Sequence, residues 1–398
     1  MALRDILRRD ANPVASGAKR TSGAGHDRLA RSKMTQMRHQ ASFGRDAISH
    51  SPLRKVVFFG IAQACSRGHM QRREFITLLS GAAAAVILPS AARAQQGKNP
   101  VRIGMLPIGL PSNPYDTSLV AAFRRGLRDT GIVENRDVLL DIVWVGGGDP
   151  EAAVSDLIKR GAGLLVPCGS SFSVAARRQT STIPIVFLNV GDPIAMGLVD
   201  SLSRPGRNAT GFSDLLADLS GKLVGVADEL NEPRRTIAYL WHTAWPDGQN
   251  RYRATERAAQ AAGLQIQSKG IADIDELNSA LTALKPSGSA VLIVQPSPLT
   301  FEQRGQIIAS AMKNGLGTVF GFPVAAREGA LLGYGPDYLY MYSRAPFYVE
   351  SILKGTKPAD LPVEQPTKVE VVINMKTANA LGLNVPSALS VSATELIE

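Results

Sequence analysis

The residues of this chain whose types and spacing could do chemistry are few, and they sit in short polar loops. Cys168-Gly169-Ser170-Ser171 stands between an apolar run and a helix-like stretch. The serine pair puts backbone N–H groups and two hydroxyls at a helix N-terminus, a natural seat for a carboxylate. The same serines would also serve as plain N-caps. Asn189-Val190-Gly191-Asp192-Pro193 offers a carboxylate for an ammonium group, although Asp-Pro is first of all an ordinary turn. Ser112 and Asn113 end another loop of Pro, Gly and Ser; His242, Gln295 and Phe322 mark three more, with Trp245 close to His242. Hydrogen-bonding groups with an apolar wall suit the gripping of a small zwitterion or organic acid. The candidate ligand-binding residues are therefore Ser112, Asn113, Gly169, Ser170, Ser171, Asn189, Asp192, His242, Gln295 and Phe322.

Parts for breaking bonds are much harder to find. From residue 95 onward the only histidine is His242 and the only cysteine is Cys168, so a zinc site of Cys and His is not expected, and no internal disulfide can form. No Walker loop, G-x-S-x-G elbow or post-strand G-x-G-x-x-G is present. The expectation is a binding protein, not an enzyme, with no cofactor and no metal. A hydrolase built on paired carboxylates is the alternative chemistry.

The charge balance points the same way. The formal net charge is +10 over 398 residues, but residues 1–94 hold 16 of the 44 Lys and Arg and only 5 of the 34 Asp and Glu. Residues 95–398 therefore carry 28 basic against 29 acidic side chains, without the excess of a nucleic-acid-binding body.

The basic leader reads as targeting. Residues 1–69 are expected to be a disordered extension or sequence upstream of the true start at Met70. Met70-Gln71-Arg72-Arg73-Glu74-Phe75 is a charged segment with a twin arginine. Ile76 to Leu88 is an apolar run of 13 residues, and Ala92-Arg93-Ala94 is a small-x-small cleavage site. That order is a secretory signal, too short to span a bilayer comfortably. The twin arginine resembles the motif of folded-protein export. A periplasmic protein cleaved after Ala94 is expected, with no lipid anchor.

The elements that must position the loops follow a strand–helix rhythm. Expected strands are 101–106, 138–144, 163–167 and 185–188, then 236–241, 264–266, 290–294 and 318–320. Expected helices between them are 115–130, 151–160, 172–180, 215–230, 251–262, 274–284 and 301–314. Apolar runs of four to six separated by helices indicate parallel sheets covered on both faces. Two such arrays in tandem predict an α/β protein of two doubly wound lobes. Ligands of such sheets sit beyond the carboxyl ends of the strands, where the polar loops fall.

Longer stretches carry a resemblance to a known family. Met70-Gln71-Arg72-Arg73-Glu74-Phe75-Ile76-Thr77-Leu78-Leu79, Phe123 to Gly131, Ile183 to Phe187 with Val190 to Pro193, and Ser203 to Ser213 resemble ABC-transporter substrate-binding proteins related to tryptophan- and tyrosine-binding receptors. Gly333-Tyr334-Gly335-Pro336, Ile352 to Lys368 and Val372 to Ala378 follow that pattern almost residue for residue. The resemblance spans roughly 70–398, departing where Cys168-Gly169 replaces a frequent Ala-Thr. It implies a type I periplasmic binding fold, with lobe one at 98–211 and 323–360 and lobe two at 212–322 and 361–398. It also implies a cleft for an amino acid or similar zwitterion, and ABC permease and ATPase subunits as partners. A monomer touching the membrane only through its permease is expected, with no nucleic acid bound. A ligand sensor for a membrane kinase is the alternative role.

Overall fold

The computed structural model describes residues 99–214, 219–231, 233, 235–283, 288–367 and 369–398. The targeting segments expected before residue 95 lie outside the described residues.

Runs that are apolar on both faces form the sheet centres. The first sheet takes β1 (Val101–Leu106), β2 (Val138–Ile142), β3 (Leu164–Pro167), β4 (Ile185–Val190) and β5 (Ala209–Ser213) in the order β2-β1-β3-β4-β5. Every pairing in it is parallel. All of β3, β4 and β5 is buried, as strands covered by helices on both sides must be.

The second sheet takes β6 (Thr236–His242), β7 (Gln265–Ile271), β8 (Val291–Val294), β9 (Gly317–Phe320), β10 (Leu332–Pro336), β11 (Val369–Asn374) and β12 (Glu395–Ile397). Their order is β12-β11-β10-β9-β8-β6-β7. The polar strand β7 sits at an edge, where one side needs no apolar cover.

The helices start where local chemistry says they should. Asn113 accepts hydrogen bonds from the Tyr115 and Asp116 amides, and Pro114 opens α1 (Pro114–Asp129). Asp149 and Pro150 do the same for α2 (Pro150–Lys159). Further along come α3 (Ser170–Gln179), α4 (Ser220–Asn231), α5 (Gly248–Ala261) and α6 (Ile274–Thr282). The helix expected over 301–314 is two: a capping box between Ser297 and Thr300 starts α7 (Pro298–Glu302), and α8 (Arg304–Lys313) follows.

Two expectations need correction. The boundary at 322/323 assigned residues 323–336 to lobe one, but β10 pairs with β9 and β11 in the second sheet. The chain returns to the first lobe only after Pro336, as the helix Tyr338–Leu353, which packs against α1 and β4. Leu332-Gly333-Tyr334-Gly335-Pro336 hid its strand because two glycines and a proline read as a loop. The second sheet is also not wholly parallel, since β11 runs antiparallel to β10.

The crossings lie side by side. Glu364 pairs with Phe212, donating its amide to Gly211 at 2.9 Å and accepting from Ser213 at 3.0 Å. Thr210 Oγ1 donates to the Leu361 carbonyl at 2.6 Å. Adjacent crossing strands hydrogen-bonded in this way can twist together, which is the mechanical need of a hinge.

Candidate functional site

The carboxyl ends of the two sheets face each other, and the space between them holds two neighbouring pockets. The inner one is lined from the first lobe by Ile108, Gly169, Ser170 and Asn189, and from the crossing by Asp214. Trp245, Ser297, Phe301, Phe322 and Tyr338 complete its wall. Gly169 has φ +107°, a conformation that L side chains avoid, and it turns the chain from β3 into α3. The N-terminus of α3 has no side-chain cap, so it faces the pocket with unneutralised N–H dipoles.

Some of the polar side chains around this pocket make no hydrogen bond among the described residues. The Ser170 hydroxyl, 1 % exposed as a residue, makes no hydrogen bond among the described residues. The Asn189 amide makes no close hydrogen bond beyond its interaction with the Tyr338 hydroxyl, although Asn189 is 6 % exposed and held at φ +55°. The Trp245 indole N–H is likewise buried and unpaired. Each such group costs about 1–3 kcal/mol of unrecovered desolvation. Clustered around one cavity, they mark a place where a bound molecule supplies the missing bonds. Asp214, 3 % exposed, is the one charged residue among the described lining residues.

Arg251 underlies this wall from the second lobe. Its guanidinium carbon lies 4.7 Å from the centroid of the Trp245 ring, and Nε donates to Asp247 Oδ2 at 2.5 Å. Nη2 is 3.9 Å from Asp214 Oδ1. A Cβ on Gly191 would fall 2.1 Å from Nη2, so a side chain there would push the guanidinium aside.

The outer pocket opens next to the inner one, with Pro298 in both linings. It lies among Val145, Gly147, Pro150, Ser171 and Phe172 of the first lobe and His242, Asp273, Ile274, Leu299 and Glu302 of the second. The centre of a water molecule has about 40 Å³ to move in the inner pocket and about 270 Å³ in the outer. The first volume suits a charged head group, and the second is large enough for a ring.

The ten residues expected to bind ligand separate on this geometry. Gly169, Ser170, Asn189 and Phe322 meet at the inner pocket; Ser171 and His242 line the outer one. Ser112, Asn113, Asp192 and Gln295 line neither. Ser112 is an exposed loop residue. Asn113 is spent on capping α1 and donates to Glu328 at 3.2 Å. Asp192 caps its own turn, accepting from the Ile194 and Ala195 amides at 3.1 and 2.9 Å, which is the ordinary Asp-Pro role. Gln295 is buried and bonds Tyr239, Gly248 and the His242 amide, bracing the loop that carries Trp245. Asp214, Phe301, Tyr338 and Ser297 were not singled out from sequence. Asp214 follows the recognisable run ending at Ser213, but only the crossing geometry aims it at the cleft. Cys168 is fully buried and its thiol is pushed up to about 12 by burial, so it offers no thiolate.

Two titrating groups face the outer pocket and oppose each other. Burial, with Asp116 adding repulsion, raises the Glu302 carboxyl from its ordinary 4.5 to about 7. Burial lowers the His242 imidazole below its ordinary 6.5. Between about pH 4.5 and 7 the folded chain holds a Glu302 proton that the unfolded chain has released, so this group makes stability fall as pH rises. His242 does the reverse, because below 6.5 the unfolded chain binds a proton that the folded one resists. Glu302→Gln should therefore make the melting temperature climb more steeply between pH 5 and 7, and His242→Gln should make it climb less. Calorimetric scans across that range check both signs.

Comparisons with known proteins fit this architecture. The family model of the ABC transporter substrate binding protein matches residues 112–397. A tyrosine-binding protein of Clostridioides difficile is 25 % identical over 268 residues, covering 67 % of this chain and 77 % of that one. A Streptococcus pneumoniae ABC domain solved in complex with L-Trp matches with TM-score 0.67 at 22 % identity, covering 75 % of this chain and all of the other. A conserved domain protein of Vibrio cholerae matches with TM-score 0.67 at 23 % identity and the same coverage. These structural likenesses carry the two-lobed fold. No described helix is long and apolar enough to cross a membrane. By the match over 112–397, the chain belongs to the ABC transporter substrate binding protein family.

Proposed function

We propose that this protein is the exported receptor of an ABC importer, which captures a zwitterionic amino acid, aromatic by preference, and delivers it to a membrane permease. The observation that carries the reading is the set of buried polar groups around the inner pocket: Ser170 Oγ and the Trp245 N–H, both unpaired among the described residues, and the Asn189 amide, which has the Tyr338 hydroxyl beside it. The uncapped N-terminus of α3 receives the ligand carboxylate, with Ser170 and Asn189 donating to it. The Asp214 carboxylate faces the ligand ammonium. Phe301, Phe322, Tyr338 and Trp245 seal the head group from water, which strengthens both charge pairings. Closure about the crossing strands brings the two half-sites together, and the ligand leaves unchanged when the permease parts them.

Residues 95–398, screened by thermal shift against amino acids and organic acids, provide the test. A true ligand at 100 times its Kd should stabilise the protein by about 2.7 kcal/mol. If no amino acid moves the melting temperature while some solute is chemically converted, the receptor reading fails.

A further inference from the structure

We propose that Arg251, buried behind the inner pocket, is a positioning residue for ligand capture: it reaches from the second lobe to Asp214 at the crossing and keeps that carboxylate ionised and aimed at the ligand ammonium. This rests on the amino-acid reading above and adds the residue that makes Asp214 usable in a cleft shut off from water.

A guanidinium on a side chain only 2 % exposed is an expensive feature, and its donors are mostly unspent. Arg251 stands in the first turns of α5, and Asp247 just before that helix takes its Nε–H at 2.5 Å. The Trp245 ring lies against the guanidinium carbon, 4.7 Å from centroid to carbon. Asp247 and Trp245 both belong to the second lobe, so they fix the arginine on its own side. Nη1 and Nη2 make no hydrogen bond among the described residues. An arginine kept for packing one ion pair has no need of that free fork.

Asp214 is fixed from the other side. Its amide donates to the Val190 carbonyl at 2.9 Å, and the neighbouring Ser213 hydroxyl donates to the Gly191 carbonyl at 3.0 Å. Both bonds tie it to the end of β4 in the first lobe. The loop leaves room for the arginine, since a Cβ on Gly191 would collide with Nη2. Asp214 is 3 % exposed and lines the inner pocket. A carboxylate so far from water favours its protonated form, which grips no ammonium, and an opposite charge within about 4–6 Å reverses that preference. Arg251 Nη2, 3.9 Å from Asp214 Oδ1 and backed by Asp247, supplies the charge from α5. The Tyr338 phenol, kept protonated by burial, faces Asp214 from the helix Tyr338–Leu353. At 3.9 Å the arginine supports the carboxylate without binding it closely, so Asp214 remains open to a ligand cation.

The test is titration calorimetry with L-tyrosine, L-tryptophan and L-leucine, each beside the same acid lacking its amino group, at about pH 5.5 and about pH 8. The ratio of the two affinities isolates the ammonium contact, because other titrating groups act on both ligands. The wild type should favour the amino acid by at least about tenfold at both pH values. R251M should keep that preference near pH 8 and lose it, to within about threefold, near pH 5.5 as Asp214 takes up a proton. R251K, which keeps the charge, should hold the preference at both, and D214N should lack it throughout. G191A, which pushes the guanidinium aside, should shift the ratio in the same direction as R251M, and it replaces R251M if melting curves show that variant unfolded. A ratio that does not change with pH in R251M, or in G191A standing in for it, makes Arg251 a packing residue and overturns the proposal while the receptor reading stands. A D214N protein that keeps the preference overturns it as well, by removing Asp214 from the head-group site. If the wild type binds none of the three amino acids, this role and the amino-acid reading fall together.

Discussion

Arg304→Met should spring the lobes apart and weaken ligand binding by about two to three orders of magnitude. Arg304 is on α8 of the second lobe, yet its Nη2 donates at 2.8 Å to Asp116 on α1 of the first. The two side chains are 2 % and 1 % exposed. Nε and Nη2 also donate to Glu328 at 2.7 and 2.9 Å, and Nη1 to the Phe301 carbonyl at 2.7 Å. Burial already pushes the Asp116 carboxyl above its usual range, against the pull of Arg304. Removing the arginine strands the buried Asp116 carboxylate without its partner, the other acceptor, Glu328, being open to water, and breaking such a buried pair costs about 3–5 kcal/mol. The molecule has one cheap escape, which is to part the lobes and rehydrate Asp116. The penalty should then appear as a shift toward an open form and not as global unfolding. Small-angle scattering would show a larger radius of gyration, and calorimetry the lost affinity. The double variant Asp116→Asn with Arg304→Met should recover much of both, because the stranded charge is gone. An Arg304→Met protein with wild-type scattering and affinity would show that this pair does not hold the lobes together.

Ser170→Ala and Asn189→Gly should each weaken ligand binding by about tenfold while making the empty protein slightly more stable. The two effects have one cause. Within the protein itself the Ser170 hydroxyl is buried and unpaired and the Asn189 amide has only the Tyr338 hydroxyl beside it, so deleting them removes a desolvation penalty of about 1 kcal/mol. In the complex the same atoms bond the ligand, and their loss costs about 1.4 kcal/mol per tenfold. Glycine is the right replacement at 189, because φ there is +55° and alanine would add backbone strain to the measurement. A rise of roughly 2 °C in the melting temperature of the empty protein is the expected size. Structural groups would behave differently: Gln295, bonded on every side, should lose stability when truncated. If Ser170→Ala destabilises the empty protein and leaves affinity intact, the serine is an ordinary helix-start residue.

Much of the framework was written in local pattern. Val101–Leu106, Leu164–Pro167 and Ile185–Val190 are strands because they are short, apolar and bounded by turn residues. Asn113-Pro114 and Asp149-Pro150 start helices by chemistry that acts within four residues. What failed was less local. Pro298–Glu302 and Arg304–Lys313 divide one helical pattern, and Leu332–Pro336 is a strand only because β9 and β11 flank it. Antiparallel pairing of β11 leaves no trace in its own residues.

The site divides along the same line. Sequence alone determined the alternation of strand and helix, the polar loops at the strand ends, and the scarcity of groups able to attack a bond. Those properties depend on residue type and near neighbours. Only the tertiary structure decided that Asp214 and not Asp192 lines the inner pocket, that Gln295 is a brace, and that Glu302 and His242 share a chamber. Asp192 is captured by amides two and three residues away, whereas Asp214 stands at a crossing whose direction is set by chain more than a hundred residues distant. Whether a polar group is spent or available depends on which partners the fold brings to it, and sequence spacing does not record that.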